Sequence, residues 1–112
     1  MNKTIAEKRN AEVKRLAALG DGDVVKARTL MNSFYRFCGL DERVFYAEND
    51  ERRHNSAYTK RMIEKRDNWL NRLVKAFAEY GLSLTYCGYL PSIGTINENG
   101  GFSEKISRYF YD

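Results

Sequence analysis

Residues 55–93 read NSAYTKRMIEKRDNWLNRLVKAFAEYGLSLTYCGYLPSI, and a change of rhythm inside this stretch decides the fold. Up to Tyr80, the apolar positions Tyr58, Met62, Ile63, Trp69, Leu70, Leu73, Val74, Phe77 and Tyr80 fall on one broad arc at about 100° per residue, the period of an α-helix. Lys60, Arg61, Lys65, Arg72 and Lys75 fall on the opposite arc. Arg66 alone sits inside the apolar arc, where it must snorkel to water or meet a carboxylate. Past Gly81, Leu82, Leu84, Tyr86 and Leu90 alternate with Ser83, Thr85, Cys87 and Tyr89, the period of a strand. A helix from Glu51 or Asn55 to Tyr80 is therefore followed by a strand.

Upstream, the pattern is helical throughout. Thr4 and Glu7 form a T-x-x-E capping box, Ile5, Val13, Leu16, Ala17 and Leu19 give a narrow apolar face, and Gly20 is the C-cap. Asp21-Gly22-Asp23 makes the turn, with Asp23 capping a second helix. Its stripe of Val24, Ala27, Leu30, Met31, Phe34, Phe37 and Cys38 faces a core, and Gly39 is expected to stop it. A short helical turn over Val44-Phe45-Tyr46, or a short strand there, then runs into the polar Glu48-Asn49-Asp50. Downstream, Pro91 breaks the alternating run, Ile93 to Asn97 forms a second short strand, and Asn99-Gly100-Gly101 is a tight turn. The last strand is expected from Phe102 to Tyr111. Helices followed by strands imply an α+β fold: N-terminal helices including one long amphipathic helix, then an antiparallel β-hairpin or three-stranded meander.

The chain of 112 residues, 43% hydrophobic, suits one domain over 1–112 with a real core. Charge is uneven: residues 51–80 carry eight basic and four acidic groups, whereas 20–50 are mildly acidic. A basic helix attracts phosphate, acidic protein or anionic lipid through the same long-range field. Cys38 and Cys87 are too few for a disulfide scaffold and read as two free, mostly buried thiols. Residues 1–20 are charged throughout and lack an apolar signal core, and no run reaches the ~18 apolar residues of a membrane span. A cytoplasmic protein that makes no use of a membrane is expected.

Catalytic signatures fail one by one. The single histidine, His54, stands among arginines and has no nucleophile motif beside it. A zinc site needs three or four ligands at short spacings that the chain lacks. Gly88-Tyr89-Leu90 and Ser92-Ile93-Gly94 echo the halves of a GIY-YIG nuclease, but far too close together and without the second tyrosine. Glu48, Asp50 and Glu51 read as caps and helix-dipole partners. Gly100-Gly101 has no following helix and lysine to make a phosphate loop. The reading is a non-enzyme without metal or cofactor.

Binding surfaces are easier to draw. A helix-turn-helix over the first two helices is disfavoured, because either choice of turn glycine puts Lys26 or Arg28 where an apolar residue should pack. Arg52, Arg53, Lys60, Arg61, Lys65 and Arg72 suit phosphate contacts instead. Tyr86, Tyr89, Tyr109 and Tyr111 suit a protein interface or base stacking.

From Asn55 to Ile93 the chain pairs a basic amphipathic helix with a central Trp and the string Y-G-L-x-L-x-Y-x-G-Y-x-P-S-I. This third of the sequence resembles small proteins carried by phages and integrative elements of low-GC Gram-positive bacteria. No functional residue carries over. The resemblance implies a context in which small non-enzymatic proteins act as inhibitors of host defence, anti-CRISPRs among them, or as regulators. The implied partner is a host or defence protein complex, such as an effector nuclease holding nucleic acid. Direct nucleic-acid binding is the alternative, and an unpaired edge strand leaves homodimer formation open.

Overall fold

The computed structural model describes residues 4–108. Three helices, α1 (Ile5–Leu19), α2 (Val24–Glu48) and α3 (Ala57–Ala78), precede three strands, β1 (Ser83–Cys87), β2 (Leu90–Ile96) and β3 (Phe102–Ile106). The strands form an antiparallel meander in the order β1-β2-β3, so the expected α+β fold is the one observed. Each helix starts at a side-chain cap: Thr4 accepts from the Glu7 amide, Asp23 from that of Lys26 and Ser56 from that of Thr59. Packing places α2 between α1 and α3. The sheet lies across the helices, with β1 against α3 and β3 against α1.

Buried residues from all three helices and all three strands form one cluster. Phe34, Phe37 and Phe77 are fully buried, and Phe34 meets Phe77 edge to face with ring centroids 5.7 Å apart. Among the described residues one buried group is charged. Glu12 accepts two hydrogen bonds from Arg15 and one, at 3.1 Å, from the Ser107 amide, which ties α1 to the chain leaving β3.

Several boundaries differ from the sequence reading. Helix α2 does not stop at Gly39 but runs 25 residues. Phe37, Leu40, Val44 and Ala47 continue the buried stripe at spacings of three and four across the glycine. A mid-helix glycine costs about 1 kcal/mol relative to alanine, less than burying Leu40 and Val44 returns, at roughly 1.5–3 kcal/mol each. The arc of α3 is only partly covered: Leu73 and Phe77 are buried, as is Tyr80 just past the helix, but Tyr58 and Val74 are exposed and Thr59 is buried instead.

In the sheet, the first run ends at Cys87. Gly88 and Tyr89 form a two-residue hairpin loop, with Gly88 at φ 69° in the first loop position, as a type II′ turn requires. Pro91 does not break the run but lies within β2, opposite Tyr86. Cys87–Leu90 closes the hairpin, so the next pair is a non-hydrogen-bonded one and the Pro91 nitrogen points away from β1. β3 ends before reaching that side, and the missing N–H costs the ladder nothing. The Pro91 carbonyl accepts there from Arg108 at 2.8 Å. β3 ends at Ile106 rather than continuing to Tyr111; Tyr109 and Tyr111 lie outside the described residues. A bulge between Ile93 and Gly94 leaves Lys105 unmatched and draws the Ser103 carbonyl over Gly94, where a Cβ would sit 2.0 Å from that oxygen. The β2–β3 turn is organised by Asn97, whose side chain accepts from the Asn99 and Gly101 amides.

Candidate binding surfaces

Two surfaces stand out, and they face different ways. The first lies where the β1–β2 hairpin meets the C-terminal half of α2. Its foundation is polar. The Arg66 guanidinium reaches Asp67 at 2.8 Å, Asp41 at 3.3 Å and Glu48 at 3.9 Å, and the Tyr86 hydroxyl donates to Asp41 at 3.1 Å. This answers the question Arg66 posed in the apolar arc: it is paired. Burial works against its charge, but hydrogen bonds and charge from Asp67 and Asp41 more than offset this and raise its pKa. Burial of the hydroxyl, then the adjacent Asp41 charge, pushes the Tyr86 phenol well above its ordinary value. The ring itself is partly in solvent, its hydroxyl turned inward. Tyr86 is therefore a brace between β1 and α2 more than a free contact.

Above this brace sit three rings that the core does not use. Phe45 stacks on Tyr89 with centroids 6.1 Å apart and planes 22° apart, and Tyr46 meets Phe45 edge to face at 5.6 Å. Phe45 is 48% exposed, Tyr46 60% and Tyr89 73%. Cys38, Asp41, Glu42, Leu90, Pro91 and Arg108 line a small hollow beside them. Tyr89 stood among the sequence candidates. Phe45 and Tyr46 did not, because they fall in the segment read as a separate turn; only a continuous α2 carries them to the hairpin.

The second surface is a groove between α2 and α3. Arg61, Lys65 and Arg72 recur at spacings that keep them in one row, and Arg43 joins them across the groove from α2. All four are exposed. Several other cations are paired: Arg15 with Glu12, Lys26 with Glu79, Arg53 with Asp50 and Arg66 with three carboxylates. Among the described residues, no ion pair joins Arg43, Arg61, Lys65 or Arg72 to a carboxylate.

The remaining sequence candidates scatter. Lys60 is exposed on α3 but lies about 100° round the helix from Arg61. Arg52 and Arg53 lie in the exposed connector before α3, where Asp50 accepts from the Arg52 amide and the Arg53 guanidinium. Those contacts, the Arg52 amide first, hold the Asp50 carboxyl below its usual value. His54 is in the same connector, its ring beside the Asp50 carbonyl and Asn55. The structure thus joins Arg61, Lys65 and Arg72 to one another, and Tyr89 to Phe45, but does not merge the tyrosines with the basic row. Arg66, which faces the hairpin, is five residues from Arg61 and about 140° away around α3.

Cys38 is buried, and desolvation pushes its thiol up to about 12. Cys87 was expected to be mostly buried; it is exposed, one residue out of phase with Leu84 and Tyr86, which turn toward the helices. Among the described residues no three metal-ligating side chains converge, and no helix is long and apolar enough to cross a membrane. No family model, curated protein or solved structure matches the chain.

Proposed function

We propose that this is a small non-catalytic binding protein of a phage or mobile element, which inhibits or modulates a host defence or nucleic-acid-processing complex by gripping it through the hairpin face. One observation carries the reading: Tyr46 and Tyr89 both pack on Phe45 at the surface, and the three rings leave from about half to three-quarters of their area to water. Aromatic anchors of this kind, low in side-chain entropy and large in apolar area, dominate the energetics of protein interfaces. The resemblance of residues 55–93 to mobile-element proteins supplies the cellular context.

Salt tests it. An aromatic interface, once dry, is screened little by ions, so a complex captured from host lysate by tagged protein should be retained when salt rises from 100 to 500 mM. Loss of the captured complex over that range refutes the reading. The second reading, a basic nucleic-acid-binding regulator, is favoured by the row of Arg43, Arg61, Lys65 and Arg72. Four phosphate contacts would make log K fall with log salt at a slope of about −3 to −4. Anisotropy with labelled single- and double-stranded 30-mers would show that slope.

A further inference from the structure

The α2–α3 groove differs from the hairpin face in chemistry. Leu30, Trp69, Leu73 and Ala76 form its floor toward the C-terminal end of α3, and Leu40 and Met62 continue it toward Arg43. The wider part encloses about 600 Å³, within the ~300–1,000 Å³ of ordinary ligand sites. The trough follows most of α3, whose 22 residues span about 33 Å. Cations line its rim: Arg72 beside the wider part, and Lys65, Arg61 and Arg43 gathered at one end. Glu64 is the one carboxylate among them, and Glu79 at the far end is held by Lys26 at 3.4 Å.

We propose that this groove receives an acidic amphipathic helix of a partner protein. The wider part of the floor favours protein over nucleic acid. Bases need free aromatic faces; there Trp69 donates its indole N–H to Ser33 at 2.9 Å and packs its ring against Phe37, and Tyr80 is buried, while one exposed ring, Tyr58, stands at the Arg43 end. Beside Trp69, Leu30, Leu73 and Ala76 give an apolar strip that suits leucine-type side chains at positions i, i+4 and i+7 of a guest helix. The rim selects its charge. Carboxylates at one end of the guest would meet Arg43, Arg61 and Lys65, which have no acidic partner within the described residues. The guest therefore carries apolar anchors over Trp69 and Leu73, and Asp or Glu toward the Arg43 end. This surface lies apart from the hairpin face, so neither proposal stands or falls with the other.

Trp69, the only tryptophan in the chain, reports occupancy directly. A displayed library of tryptophan-free, helix-biased 18-residue peptides would be selected on the full chain, and the enriched peptides titrated by Trp69 emission and by anisotropy. Enrichment of acidic amphipathic sequences that shift Trp69 emission is expected. Arg61→Glu/Lys65→Glu, at two exposed positions without ion pairs, should weaken them at least tenfold with the melting temperature unchanged. Enriched peptides without carboxylates, binding that leaves Trp69 emission unaltered, or undiminished affinity for the double variant would each overturn the proposal. So would tight, competing binding of a single-stranded 30-mer, which would assign the groove to nucleic acid.

Discussion

Replacing Gly94 by alanine tests how the sheet is held. A Cβ there would lie 2.0 Å from the Ser103 carbonyl oxygen, 2.8 Å from its carbon and 2.9 Å from the Glu104 Cα, all backbone atoms of β3. No side-chain rotation relieves this, and the two strands must part by roughly 1 Å against a normal separation of about 4.8 Å. That shift loosens the pairs Gly94–Glu104 and Thr95–Ser103 and strains Ile93 and Ile106, each 1% exposed. Overpacking costs typically 1–3 kcal/mol, and a rigid backbone obstacle places Gly94→Ala at or above about 3 kcal/mol. At about 4–8 °C per kcal/mol for a domain near this size, the melting temperature should fall by roughly 12–24 °C. Two glycines serve as controls. At Gly88 nothing lies within 4 Å and the penalty is the positive φ alone, about 1–2 kcal/mol. At Gly20 the obstacle, at 2.7 Å, is the Tyr80 ring, a side chain rather than a strand backbone. Thermal and urea unfolding should therefore rank Gly94→Ala as clearly the most damaging of the three. A Gly94→Ala protein within 1 kcal/mol of wild type would show that β2 and β3 do not approach as closely as the bulge requires.

Other expectations concern single contacts. Glu12→Ala removes the acceptor of the Ser107 amide and should cost about 2 kcal/mol, since hydrogen bonds to charged groups contribute roughly 1.5–3 kcal/mol; unchanged hydrogen exchange at Ser107 would contradict that tether. Iodoacetamide at pH 8 should add once to the native protein, at exposed Cys87, and a second time only in urea, when Cys38 is released; two additions to the native protein would contradict the burial of Cys38. Stability should decline on the alkaline side. The folded state holds the Cys38 and Tyr86 protons after the unfolded chain begins to lose them, near pH 8.5 and 10 respectively, so the native state binds more protons and stability falls as pH rises. Tyr86→Phe should flatten the part of that decline above pH 10, and an identical profile would show that the Asp41 contact does not hold the phenol proton.

Much of the fold is written in local patterns. The caps at Thr4 and Asp23, the period of α3 and the alternation after Gly81 each depend on neighbours a few residues away, and each was legible. What was not legible depends on residues far apart in sequence. Gly39 reads as a stop until α3 is packed beside it, when Leu40 and Val44 find cover. Gly88-Tyr89 looks like a continuation of a strand until Pro91 is seen to face a side where no ladder bond is needed. The same holds for function. The basic row of α3 was visible from spacing alone, but its partner Arg43 and the stacking of Phe45 on Tyr89 follow from a continuous α2. Glu12 lies on a helix that reads as mostly polar; its bond to the Ser107 amide joins residues 95 apart.

The most direct test of protein binding through the hairpin face is capture from host lysate after nuclease treatment, comparing wild type with Phe45→Ala/Tyr89→Ala by quantitative mass spectrometry. A host complex that survives nuclease with wild type, and is lost with the double variant at an unchanged melting temperature, is the expected result. Recovery of nucleic acid alone, with nothing left after nuclease, or equal capture by the variant, would contradict it.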